Sequence, residues 1–158
     1  MHGDLNLANV LLSRRPGAER PARVWIIDFA RLSRLPCLTD FAKVENDLAY
    51  ILLPVEDAAA LVRARALQEA RLGGATLPVE LAPLAETPAE RRHARLVERL
   101  RAIAARMDPR GAAAMDDYRV ALLRYAAHTL GFDQPGLLQR RLALEGCARL
   151  AGQLAAAA

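Results

Sequence analysis

Apolar positions along most of this chain recur at three- and four-residue steps, and the pattern breaks only near the start. Residues 9–13 and 24–27 are short apolar runs, and the stretch RRPGAERPAR between them holds two prolines, one glycine and several charges. Two such runs joined by a polar turn predict a β-hairpin. From Thr39 the period changes: Phe41, Val44, Leu48 and Ile51 predict an amphipathic helix that stops before Pro54. Asp40, Lys43, Glu45 and Asp47 then form its solvated face, with bracing of the loop after Asp28 as a second role open to Asp40. A further helix is predicted over residues 57–72, with Asp57 capping its start and Gly73-Gly74 giving a left-handed stop.

The clearest helix start is Thr87-Pro88-Ala89-Glu90, which joins a hydroxyl cap, a proline at the first helical position and a glutamate placed to return the bond. This helix is predicted to turn Leu96, Leu100, Ile103 and Met107 inward and to end at Asp108-Pro109. Another, over residues 112–130, presents Met115, Tyr118, Leu122 and Tyr125, and a last one begins near Pro135. The fold class expected is α+β and mostly helical. Residues 1–35 form the hairpin segment and residues 36–158 a helical body, together one partial domain without internal repeats.

Composition narrows the classes. A chain of 158 residues with 53% hydrophobic content can bury a real core. The 22 basic and 18 acidic residues leave a charge of +4, carried almost wholly by arginine, since Lys43 is the only lysine. Nucleic-acid binding needs aromatic platforms among the arginines; with 4% aromatic residues, solvated helix faces are the favoured reading. Cys37 and Cys147 are too isolated for a disulfide framework or a zinc site. No stretch reaches the roughly 18 apolar residues of a membrane span, and the opening lacks a signal peptide's pattern, so the expected location is the cytoplasm.

The chemistry lies in MHGDLNLANVLL and in VWIIDFA. Taken singly, Asp4 reads as a turn or cap residue, Asn9 as a hydrogen bonder at the start of a strand, and Asp28 as a cap. The order His-x-Asp, Asn, Asp-Phe also has a logic in phosphoryl transfer. One carboxylate takes the proton of an attacking hydroxyl, while an amide oxygen and a second carboxylate hold the magnesium that bridges the phosphates. Two carboxylates about 4 Å apart repel by roughly 4 kcal/mol at an effective dielectric of 20, so Asp4 and Asp28 converge stably with a divalent cation between them. A hairpin brings the loop before its first strand beside the loop after its second.

HGDLNLANVLL followed by VWIIDFA resembles the catalytic and magnesium loops of the aminoglycoside phosphotransferase and choline kinase group, relatives of protein kinases with a bilobal fold. The resemblance spans roughly residues 2–50. It implies that Asp4 is the catalytic base, that Asn9 and Asp28 hold magnesium and thereby ATP, and that His2 supports the loop. Asn6 stands where the group usually has His, and Ala30 where Gly often follows Asp-Phe. LTDFAKVENDLAYIL also resembles a ternary-complex-associated, phosphotransferase-like module of bacterial conflict and signalling proteins.

Neither a G-x-G-x-x-G stretch nor a P-loop occurs in the chain. The resemblance therefore implies a C-terminal lobe whose glycine-rich loop, strand lysine and adenine hinge are supplied from elsewhere. Three functions stay open: a phosphotransferase fragment acting on a small-molecule hydroxyl once an N-terminal lobe completes it, a non-catalytic interaction module, or, on the arginine excess alone, a helical nucleic-acid-binding protein. Catalysis of this type is nearly all positioning and electrostatics, so the chain alone is expected to be close to inactive.

Overall fold

A computed structural model describes residues 2, 5, 7–15, 17, 19, 23–28, 36 and 38–157. Strand β1 (Val10–Ser13) pairs antiparallel with β2 (Arg23–Ile26), Val10 opposite Ile26 and Ser13 opposite Arg23, as the two apolar runs predict. A 3-10 turn (Leu7–Asn9) leads into β1. The rest is helical: α1 (Thr39–Asp47), which continues as a π-helical turn (Leu48–Leu52), α2 (Ala58–Gly73), α3 (Pro88–Met107), α4 (Ala112–Thr129) and α5 (Leu137–Ala157). None of these helices is long and apolar enough to cross a membrane.

The helix starts follow their sequence signals. Asp57 accepts from the Ala60 N–H at 2.7 Å, and Thr87 and Glu90 close a reciprocal capping box at 3.2 and 3.0 Å. Each satisfies N–H groups that a helix cannot pair internally, worth about 1 kcal/mol per cap. The left-handed stop at Gly73-Gly74 is not formed. Gly74 is extended (φ −67°, ψ 145°), and the end of α2 is held instead by Gln153 of α5, which donates to the Leu72 carbonyl at 2.9 Å.

Helix α1 runs through the middle of the body, in contact with α3 and α4 and continuous with the π turn. Around it sit Leu38, Ala42, Leu72, Met115, Tyr118 and Leu122 on one side, Tyr50, Leu53, Leu61 and Leu142 on a second, and Leu48, Leu67, Leu81 and Val97 on a third. This position overturns the solvated face expected for α1: Asp40, Lys43, Glu45 and Asp47 are all buried, while Phe41 and Val44 are only half-buried. A helix packed between neighbours on several sides buries polar as well as apolar positions, and its charges are then tolerated only because each finds a partner.

Helix α3 is also rotated from its predicted orientation. Its buried side carries Glu90, His93, Ala94, Val97, Arg101 and Ala104, whereas Leu96, Ile103 and Met107 are 44%, 42% and 57% exposed. Arg101 explains the rotation, because its guanidinium must reach the carboxylate of Glu45 at the centre of the body. In α4 the predicted inward set, Met115, Tyr118, Leu122 and Tyr125, is buried as expected. Trp25 stands 44% exposed on the hairpin, and Tyr50 is buried.

Candidate functional site

The hairpin joins the helical body through short polar links. The His2 backbone N–H donates to the Asp40 carboxylate at 2.9 Å, and the His2 ring meets the Ile27 carbonyl at 2.6 Å. A carbonyl only accepts, so Nε2 carries the proton. On the adjoining backbone, the Ile27 N–H donates to the Asn9 carbonyl at 3.0 Å, extending the hairpin ladder by one rung. Asn9 is thereby placed one residue from Asp28 across the ladder, and Asp40 holds the backbone of the histidine that grips Ile27. Four of the sequence-nominated residues, His2, Asn9, Asp28 and Asp40, gather at one end of the hairpin. Asp4, Asn6 and Ala30 lie outside the described residues, as does Cys37.

Asp28 is exposed and has φ 61°, the only positive φ among the described residues other than glycine. Left-handed backbone costs an L-residue on the order of 1 kcal/mol, less for aspartate, whose short side chain tolerates it. Such strain persists where surrounding structure imposes it and is concentrated at functional sites. Here the imposing structure is the pair of bonds that fix Ile27, one at its N–H and one at its carbonyl.

A second polar link lies behind the 3-10 turn. Asp47 accepts from the Leu7 N–H at 3.3 Å and from Lys43 Nζ at 2.9 Å, and the same ammonium sits over the rings of Tyr125 (5.6 Å) and Phe132 (5.8 Å). Beside this pair opens a cleft of about 300 Å³ lined by Leu7, Ala8, Lys43, Asp47, Ile51 and Phe132. The chain's single lysine therefore anchors the wall of a cleft adjoining the hairpin end.

Below, Glu45 sits fully buried between two guanidinium groups. Its Oε1 accepts from Arg71 Nη1 (2.9 Å) and Arg101 Nη2 (2.8 Å), and its Oε2 from Arg101 Nε (2.7 Å) and the Tyr118 hydroxyl (2.8 Å). Arg71 also donates to the Tyr50 hydroxyl at 2.8 Å, and Tyr50 to Gln68 at 2.9 Å. Burial alone pushes the Glu45 carboxyl up, but Arg101 and Arg71 more than reverse it and hold it at about 2. Burial likewise lowers the His93 imidazole to about 4, with the Arg71 charge acting in the same direction, so His93 is neutral near pH 7. Neither Arg71, Arg101 nor His93 was signalled by local sequence pattern; an arginine at a helix position whose apolar neighbours are small, as Arg101 is between Val97 and Ala104, is the available clue.

The family model for ternary complex associated domain 9 matches residues 1–131. The chain belongs to that family. In this ternary complex associated domain the match takes in the hairpin end, the Lys43–Asp47 pair and the Glu45 cluster, and stops before α5. Neither the curated proteins nor the solved structures include a match to it.

Other acids of the helical body are dispersed. Asp116 pairs with Arg119 and Asp117 with Arg110, both at 2.7 Å, while Glu80 and Glu86 are exposed. His128 is exposed, with its ring edge against Phe132. Among the described residues no group of three or more His, Cys, Asp or Glu side chains is arranged to hold a metal by itself.

Proposed function

We propose that this domain is a non-catalytic binding module, derived from a kinase-like phosphotransferase lobe and working in a bacterial signalling or conflict assembly. The observation that carries the proposal is the hairpin surface. Successive side chains of a strand point to opposite faces, yet Leu11, Leu12, Val24, Trp25, Ile26 and Ile27 are all 40–63% exposed, so both faces are bare. A two-stranded hairpin is marginal by itself in water, and a contiguous apolar surface of this kind marks an interaction site. A partner chain, in the place that a phosphotransferase gives to its N-terminal lobe, covers it. The family's description, an association with a ternary complex, supports the same reading.

The test is recovery of the tagged chain from its source cells with and without Leu12→Glu and Val24→Glu, two exposed positions whose change leaves the helical core alone. One stoichiometric companion, lost in the variant, is the expected result. An unaccompanied wild-type chain that phosphorylates a small-molecule acceptor, with turnover removed by Asp28→Ala, overturns the proposal.

The left-handed backbone at Asp28 favours a second reading, in which the hairpin end binds magnesium and the phosphates of ATP. One carboxylate and one amide oxygen suit a hard cation that keeps several waters and completes its shell with phosphate oxygens. Asn9 and Asp28 would hold it, and it would neutralise charge on the phosphates; Asp4 is the sequence-nominated base. Magnesium with ATP should then raise the thermal midpoint of the wild type and leave Asp28→Asn unmoved. No shift in either protein removes this second reading.

A further inference from the structure

Two sets of arginines stand out among the described residues. Arg63, Arg65, Arg71, Arg101, Arg110, Arg119, Arg141 and Arg149 each pair with a carboxylate. On the outer face of α3, Arg92, Arg95, Arg99 and Arg106 are exposed, and among the described residues they make no ion pair. The two acids of α3 point elsewhere: Glu90 binds Arg63 at 2.8 Å, and Glu98 accepts from the N–H groups of Leu81 and Ala82 at 2.6 and 2.7 Å. Four arginines thus share a face that has no acid of its own helix.

The spacing on this face is regular. Leu96, Leu100, Ile103 and Met107 are separated by four, three and four residues, the repeat of a helix-pairing seam, and the rotation forced by Arg101 leaves Leu96, Ile103 and Met107 facing outward. Arg92, Arg99 and Arg106 recur at every seventh position along one edge of that seam, where coiled coils place the charges that select a partner. At the upper end, an apolar cleft of about 260 Å³ opens between Leu96 and the turn residues Leu48, Leu52, Leu53 and Pro54. Beside it, a basin of about 430 Å³ is ringed by Arg91, Arg92, Arg95 and Arg99.

We infer that the outer face of α3 docks an acidic amphipathic helix of a partner protein, with apolar residues at three- and four-residue steps and Asp or Glu along the flank. A second copy of this chain does not fit. Antiparallel pairing sets the arginine edge against itself, and parallel pairing sets it against the edge holding Val97 and Ala104, which is buried in the domain. A nucleic-acid partner lacks support because α3 carries no aromatic side chain to stack on bases. The inference rests on the binding-module reading but uses a different surface from the hairpin.

The full chain is titrated with a synthetic three-heptad peptide bearing leucine at the seam positions and glutamate at the flanks, and with its lysine-flanked counterpart. The glutamate peptide is expected to bind, more weakly as salt rises, and the lysine peptide is not. Arg92→Glu, Arg99→Glu and Arg106→Glu together should weaken the first about tenfold or more and create binding of the second, a swap that a merely unfolded variant cannot produce. Leu96→Ser with Ile103→Ser should abolish binding with the thermal midpoint kept. Equal affinity for both peptides, affinity for polyglutamate equal to that for the glutamate peptide, or tighter binding to phosphatidylserine vesicles or duplex DNA overturns the inference. The hairpin variants Leu12→Glu and Val24→Glu should keep peptide binding, so failure on α3 and failure at the hairpin are read separately.

Discussion

Replacing Glu45 by glutamine removes what is, among the described residues, the only carboxylate within hydrogen-bond reach of Arg71 and Arg101, while keeping the shape of the side chain. Both guanidinium groups are at most 2% exposed, so they would remain buried without a counter-charge. Breaking a buried ion pair from one side costs about 3–5 kcal/mol. The depressed carboxyl, a consequence of the same ion pairs, gives a consistent figure: a fall from 4.5 to about 2 on folding is worth roughly 3 kcal/mol at 1.36 kcal/mol per pH unit. For a domain of this length that corresponds to a drop of about 6–12 °C in thermal midpoint. The sign with pH is fixed. Because the folded pKa is depressed, the stabilisation is complete above about 4.5 and disappears as pH falls toward about 2. Urea denaturation of wild type and Glu45→Gln at a series of pH values should show the curves converging across that window. A variant within about 1 kcal/mol of wild type at neutral pH, or one equally acid-sensitive below pH 4.5, would refute the reasoning.

His93 adds a separate window. Its folded pKa of about 4 lies below the ordinary 6.5, so the unfolded chain takes up a proton first and stability falls as pH drops from about 6.5 to 4; His93→Gln should flatten that part of the curve. Gly146 packs against the Tyr50 hydroxyl so closely that a methyl group collides with it; Gly146→Ala should therefore lose about 1–3 kcal/mol in denaturant titration even though alanine is the better helix former, and a gain would contradict the packing. Asp28→Gly should match or exceed wild-type stability by relieving the positive φ, and Asp28→Ala should fall below it by about 1 kcal/mol; the reverse order in thermal melts would show that Asp28 carries no strain.

The elements were legible in the sequence where the signal is local. Asp57, Thr87 and Glu90 cap the helices they mark, and the apolar runs around RRPGAERPAR pair as a hairpin. Which side of a helix faces inward was legible in α4 and not in α1 or α3. In α4 the apolar face of Tyr118 and Leu122 is also the buried one. In α1 and α3 the decisive contact is between charges 56 residues apart, Glu45 and Arg101, and periodicity has no means to weigh an ion pair above an apolar stripe. At the site, His2, Asn9 and Asp28 were nominated from their order and Asp40 as a brace of the loop after Asp28; Asp40 bonds the His2 backbone, and His2 and Asn9 bond Ile27, the neighbour of Asp28. The Lys43–Asp47 pair and its cleft were passed over because charges on an amphipathic helix ordinarily face water.

Placing a photoreactive side chain at Leu12 on the hairpin, at Leu96 on α3 and, as a control, at the equally exposed Leu144 on α5 tests the binding-module account most directly. Irradiation of source cells should yield discrete covalent adducts from Leu12 and Leu96 and none from Leu144. The same adduct pattern from all three positions, or none from Leu12, would contradict it.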